Sequence, residues 1–182
     1  PEYPVPASVE TDLNIEIKSD NCCRYMGRIV RNVEVAESPD WMKKYLTAIG
    51  QRTINNIVDA TNIAMYDCGQ PMHAFDADKV VGGITVRPAH EGEKITTLDN
   101  KEVELTKDDL VIADDEGALA IAGIKGGKKA EVDANTTNLV LESASFEPKS
   151  VRKTRIRTGI QTDSSKRFEN EPTSELALVG MN

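Results

Sequence analysis

Leu110-Val111-Ile112-Ala113-Asp114-Asp115-Glu116-Gly117-Ala118-Leu119-Ala120-Ile121-Ala122-Gly123-Ile124 is the stretch that decides the architecture. Its two apolar runs, 110–113 and 119–124, have the length of buried strands and are too short for helices. The acidic run between them, like Asp108-Asp109 before it, reads as a solvated loop. Outward from here the strand signals continue. Gly83 to Arg87 reads as a strand, and Lys94–Thr97 and Glu102–Leu105 flank the turn Asp99-Asn100 as a hairpin. Asn138 to Ser143 holds another apolar run, Leu139-Val140-Leu141. Leu13-Asn14-Ile15-Glu16-Ile17 alternates, and Arg24 to Val35 reads as a longer strand. Helical spacing appears early and late. Ser38-Pro39-Asp40 offers an N-cap, a proline at the first helical position and an acid at the positive helix end. Trp41, Tyr45 and Ile49 follow at helical spacing, with Gly50 as the stop. A second helix is predicted over Asp59–Cys68 with Gly69 as its end, and a third over Pro148–Thr158. Helices first, strands in the middle and a helix late predict an α+β fold of mixed α/β layers.

Composition narrows the functional classes. The chain has 182 residues, 22 Lys plus Arg against 30 Asp plus Glu, and a net charge of −8. An apolar fraction of 39% excludes a disordered chain. No apolar run approaches the roughly 20 residues that span a bilayer. The three cysteines, Cys22, Cys23 and Cys68, read as free thiols in a reducing cytoplasm. The acidic balance argues against autonomous, high-affinity nucleic-acid binding. From Lys149 to Arg167, however, seven basic residues meet one acid, Asp163. That stretch is either a guide for an acidic partner or a solvated helix face. The chain opens on Pro1 rather than Met, which predicts a piece of a longer protein, and residues 1–10 read as an extended lead-in.

Searches for common chemistry return little. Cys68 and His73 lie five apart with no second pair at zinc spacing, so no metal site is expected. Gly123-Ile124-Lys125-Gly126-Gly127-Lys128 fails as a phosphate loop, because its first glycine is misplaced and no Ser or Thr follows the lysine. It reads instead as a tight turn with close backbone approach. No nucleophile elbow is present. Asn55-Asn56-Ile57-Val58-Asp59-Ala60-Thr61-Asn62 is too rich in polar side chains for a purely structural helix, since buried polar groups need partners.

Arg52–Asn62, Gly69-Gln70-Pro71-Met72-His73-Ala74-Phe75-Asp76, Ala122–Gly127, Leu141–Phe146 and Thr162–Glu169 occur as five ordered blocks. Together they resemble the editing domain of the phenylalanyl-tRNA synthetase beta subunit, the unit joining its third and fourth domains. Cys23-Arg24-Tyr25 fits as well, and the resemblance covers about residues 20–170. It implies mixed sheets with helices around a central cleft: residues 1–20 as lead-in and first strand, 21–170 as one unit of two intertwined halves, and 171–182 as a tail toward a further domain. The implied activity is hydrolysis of tyrosine misattached to phenylalanine tRNA. A pocket built for phenylalanine cannot strongly reject an isostere that adds a hydroxyl, whereas a second pocket that hydrogen-bonds that hydroxyl can select for it.

The resemblance also implies residue roles. Glu142 is the acceptor for the tyrosine hydroxyl and Gly123 the second recognition position, giving room and backbone. Thr61, Asn62 and His73 lie near the scissile ester and orient water or the terminal ribose, with a structural histidine as the other reading of His73. Arg52 and Thr162 match cleft-lining positions; a plain ion pair is the other reading of Arg52. Ser164 stands where alanine is usual, which adds a hydroxyl near the pocket. Lys125 replaces an apolar residue, Thr53 a proline, and Asn170-Glu171-Pro172 a glycine-containing turn. No metal or cofactor is expected in this unit; ATP and magnesium belong to the parent enzyme. The implied partners are the acceptor end of phenylalanine tRNA and the synthetase alpha subunit, in a cytoplasmic heterotetramer with no membrane. The rival implication is a non-catalytic structural or tRNA-docking domain of the same subunit.

Overall fold

The structure, a computed structural model, describes residues 13–182, so the lead-in expected over residues 1–10 lies outside the described residues. Five strands form the larger sheet: β1 (Ile15–Ile17), β4 (Ile84–Pro88), β7 (Leu110–Asp114), β8 (Gly117–Ile121) and β9 (Lys125–Gly126), in that spatial order. β1 runs parallel to β4, and every other pair is antiparallel. β7 and β8 are the two apolar runs of the deciding stretch. Their unbroken apolar lettering matches strands covered on both faces, and Val111, Ile112, Leu119 and Ile121 are fully buried. A hairpin of β5 (Lys94–Thr96) and β6 (Glu102–Glu104) joins the β9 edge of this sheet through a bridge between Thr97 and Gly127.

The smaller sheet has β10 (Asn138–Phe146) at its centre, flanked antiparallel by β2 (Cys22–Arg31) and β3 (Met72–Asp76). Side chains alternate across β10. Val140, Ala144 and Phe146 join the core shared with the larger sheet. Leu139 and Leu141 face the other way, into a cluster with Ala74 and Ile57. Ile57 belongs to α2 (Asn56–Cys68), so a helix covers that outer face. α2 starts where the Asn55 side chain accepts the backbone N–H groups of Ile57 and Val58, and ends at Gly69, φ 87°. α5 (Leu176–Met181) lies on the same face, where the Ser143 hydroxyl donates to the Ala177 carbonyl at 2.8 Å. α3 (Pro148–Thr158) carries the predicted proline start and a left-handed Gly159 end. α4 (Asp163–Glu169) packs beside it.

Several local expectations are corrected. Ser38 does not cap α1 (Asp40–Ala48); its hydroxyl donates to Asp59 at 2.5 Å in a buried pair. α2 begins at Asn56 rather than Asp59, because Asn55 is the better-placed cap. The stripe Trp41, Tyr45 and Ile49 is helical but faces solvent, while Leu46 is the buried side chain of α1. The acids read as solvated loops are not all solvated. Asp109 is buried, takes the Thr106 N–H at 2.8 Å and pairs with Arg157 of α3. Asp114 is buried, accepts the N–H groups of Val81, Glu116 and Gly117, and pairs with Lys129 at 2.6 Å. Burial would raise the Asp114 pKa, yet Lys129 and the backbone donors outweigh it and hold the carboxyl below its usual range. Strand ends leave backbone donors without partners, and a buried carboxylate satisfies several at once. Residues 171–182, read as a tail, contain α5 and its contact with β10.

Candidate active site

A cavity of about 410 Å³, its open mouth included, lies between the two sheets. β3 contributes Met72 and His73, with Pro71 just before it; β10 contributes Glu142; the turn from β8 into β9 contributes Gly123 to Gly126; α4 contributes Ser164 and Phe168. The walls are mostly apolar, so the few polar groups stand out.

Glu142 is placed by alternation. It falls between Val140 and Ala144 on the β10 face that meets the larger sheet, at 7% exposure. Its register partners are Gly27 on β2 and His73 on β3. A Cβ at position 27 would lie 2.8 Å from Ile15 Cδ1, so glycine there lets Ile15 pack close against β2. Burial, with no ion pair or hydrogen bond to offset it, raises the Glu142 pKa to about 8. His73 faces the same cavity, edge-on to Phe75 with ring centroids 4.6 Å apart. Burial lowers its pKa to about 4, so the imidazole is neutral near pH 7 and offers one donor and one acceptor. A Cβ on Gly126 would lie 2.5 Å from His73 Cε1, so glycine at 126 is what lets β9 close over the ring.

The β8–β9 turn is fastened to α4. Thr162 caps α4 by accepting the Ser165 N–H, and its hydroxyl donates to the Ile124 carbonyl at 2.9 Å. Ser164 donates to the Gly123 carbonyl at 3.2 Å. Gly123 sits at φ 70°, and a Cβ there would lie 3.1 Å from Phe146, Phe168 and Val151. The room left by this glycine therefore faces the aromatic core, while its backbone faces the cavity.

The remaining expected residues do not line the cavity; Thr61 and Asn62 lie on α2, which covers the other face of the smaller sheet. Thr61 is buried on α2, and its hydroxyl donates to its own helix at Val58 O, 2.8 Å. Asn62 is half-buried one residue on. Tyr66, one turn after Asn62, donates to Asp163 at 2.6 Å, next to Ser164. Gln51 reaches the same carboxylate at 3.5 Å, and Arg52 beside it is exposed. Arg52 makes no ion pair among the described residues. The Tyr66 hydrogen bond comes first among the causes that hold the Asp163 pKa down, with Lys166 and Arg167 adding to it. Arg167 also lies 4.9 Å over the Tyr66 ring. Sequence reasoning missed this Tyr66–Asp163–Arg167 cluster; its signal was the Thr162-Asp163 start of α4, a cap followed by an acid. The basic stretch divides. Arg155 pairs with Glu169 and Arg157 with Asp109, whereas Lys149, Arg152 and Lys153 make no ion pair among the described residues.

Comparison with known proteins follows the same outline. The chain is 50% identical over 163 residues to a phenylalanine–tRNA ligase beta subunit from Fusobacterium nucleatum, covering 89% of this chain and 20% of that protein. It is 53% identical over 155 residues to the subunit of that name from Aquifex aeolicus, covering 85% of this chain and 20% of that protein. The chain thus spans about a fifth of the length of these curated relatives. A crystal structure of an N-terminal fragment of the phenylalanyl-tRNA synthetase beta-subunit from Pyrococcus horikoshii superposes with a TM-score of 0.58 at 16% identity, over 87% of this chain and 52% of that one. At that identity the likeness concerns the fold. The family described as the B3/4 domain matches residues 21–182. The chain belongs to the B3/4 domain family.

Proposed function

We propose that the chain is an editing hydrolase that cleaves tyrosine from misacylated phenylalanine tRNA. The observation that carries this reading is a buried, unpartnered carboxyl, Glu142, sharing a small apolar cavity with a neutral histidine and a backbone-lined turn. An apolar cavity with one buried acid rewards a ligand that is aromatic and carries one hydroxyl. Phenylalanine would leave Glu142 without a partner, and a hydrogen bond to such a group contributes about 1.5–3 kcal/mol, or ten- to a hundredfold. An aminoacyl ester is already activated, so holding water against the carbonyl suffices for cleavage. His73 can orient that water, and Thr61 and Asn62 stand on the helix behind its strand. The adjacent ribose hydroxyl can carry the proton, so no covalent enzyme intermediate and no metal enter the reaction. Lys149, Arg152 and Lys153, having no acid partners, are available to phosphate and support a guiding role for the acceptor end.

In this reading the chain works within a phenylalanyl-tRNA synthetase beta subunit in the cytoplasm, joined to the alpha subunit in a heterotetramer. ATP and magnesium serve aminoacylation elsewhere in that enzyme. The test is deacylation of tyrosyl- and phenylalanyl-charged phenylalanine tRNA. Release of tyrosine should exceed that of phenylalanine by at least about tenfold, and Glu142→Ala should abolish the preference. Equal release of both removes Glu142 as the discriminator. Binding of tRNA without cleavage of either ester replaces the enzyme with the docking module.

A further inference from the structure

Two side-chain atoms among the described residues are buried without a hydrogen-bond partner, and one is the Tyr25 hydroxyl. Tyr25 is 8% exposed. A buried hydroxyl without a partner is costly and rare in native proteins, so it needs a reason. The reason lies across the sheet. Tyr25 on β2 is the register partner of Ala144 on β10. Glu142 is two residues along β10 from Ala144 and projects from the same face, which makes Tyr25 and Glu142 diagonal neighbours, within reach of long side chains. Gly27, directly opposite Glu142, has no side chain of its own, and Ile15 and Leu13 pack where one would stand. The sheet thus sets an unpartnered donor diagonally beside the acid that lines the cavity, one position behind the cavity wall.

We propose that the Tyr25 hydroxyl is a positioning donor for Glu142, engaged when a phenol occupies the cavity. The carboxylate then accepts one hydrogen bond from Tyr25 and one from the bound tyrosyl group. This inference rests on the editing reading above and deepens it. It explains how an acid that burial alone keeps protonated to about pH 8 becomes an acceptor, because hydrogen bonds to the charged form favour that form. The field of Glu142 is one of the causes that raise the Tyr25 pKa, after burial, so the phenol stays a donor. The other titratable groups near the acid do not supply the missing donor. Cys22 on β2 is raised to about 12 by burial and gives its thiol hydrogen to Arg24 O. His73 on β3, the register partner of Glu142, keeps one N–H when neutral but makes no hydrogen bond to the acid, and Lys125 on β9 is paired with Asp99 at 3.0 Å.

The experiment is a double-mutant cycle of Tyr25→Phe and Glu142→Gln in the 182-residue chain, read on both esters from pH 5.5 to 9. Tyr25→Phe removes one oxygen that has no partner, so its melting temperature should equal or exceed that of the wild type. Its preference for tyrosine over phenylalanine should nonetheless fall by about tenfold. The pH profile of tyrosine release should also shift, and neither effect should appear in the Glu142→Gln background. Carboxyl NMR of Glu142 with L-tyrosine present should show a midpoint about one pH unit higher in Tyr25→Phe. A wild-type preference and profile that survive Tyr25→Phe unchanged overturn the role of Tyr25 alone. A wild type that cleaves both esters equally, or neither, overturns the reading on which that role rests.

Discussion

Glu142 and His73 face each other across two strands and are displaced by burial in opposite directions, one to about 8 and the other to about 4. Each displacement is also a statement about stability. For Glu142 the folded-state pKa lies above the unfolded value of about 4.5, so the unfolded chain sheds its proton first as pH rises. The protein therefore keeps this contribution below about pH 4.5 and loses it progressively up to about pH 8. His73 acts in mirror image, costing stability as pH falls from about 6.5 to about 4. Glu142→Gln should thus melt progressively higher than wild type between pH 5 and 8, with the gap levelling off above that. A gap independent of pH would show that the carboxyl is not desolvated in the folded chain. The residues of this site were unevenly legible. Glu142 was named through the resemblance, at the end of the apolar run Leu139–Leu141, and only the strand pairing shows which face it takes. His73 could not be placed by period, since β3 is five residues of mixed polarity. Gly126 was visible as a glycine but not as the cover of an imidazole, because that contact joins residues 53 positions apart in sequence.

At the scale of elements, α4 is the short piece that holds the β8–β9 turn in place. Its cap residue does two jobs, satisfying the helix start and gripping Ile124 through one hydroxyl. Thr162→Ala should cost about 1–2 kcal/mol in urea unfolding, with Thr162→Ser recovering most of it. A larger loss from Thr162→Ser than from Thr162→Ala would refute the hydroxyl's role. Long or strongly patterned elements were readable: β7 and β8 from their apolar runs, α3 from its proline start and glycine end. The misread ones share a cause. α4 has seven residues and a serine where a capping box usually carries Glu or Gln, and α5 has six, too few for a period to show. The spacing of Trp41, Tyr45 and Ile49 gave the helix but not its inward face, which carries Leu46 and leaves the stripe outside.

For the molecule as a whole, the smaller sheet is the middle of three layers, with the larger sheet on one side and α2 and α5 on the other. Removing α5 by ending the chain after Asn170 exposes the outer face at Ser143 and Gln70 and strips the burial of Ala177 and Met181. The expected loss is about 2–4 kcal/mol, a fall of roughly 5–10 °C in melting temperature. An unchanged melting curve would mean that α5 contributes nothing to the layer it covers. Layer order was not legible from composition, since an apolar run announces burial without naming what buries it. The clasp between Ser143 and α5 has a mechanical corollary. Ser143 and Glu142 are consecutive and point to opposite sides of one strand, so the peptide that anchors the C-terminal helix also orients the cavity acid. The C-terminal helix and the cavity acid thus hang from opposite sides of a strand clamped by β2 and β3, which ties residues 176–181 to the wall of the site.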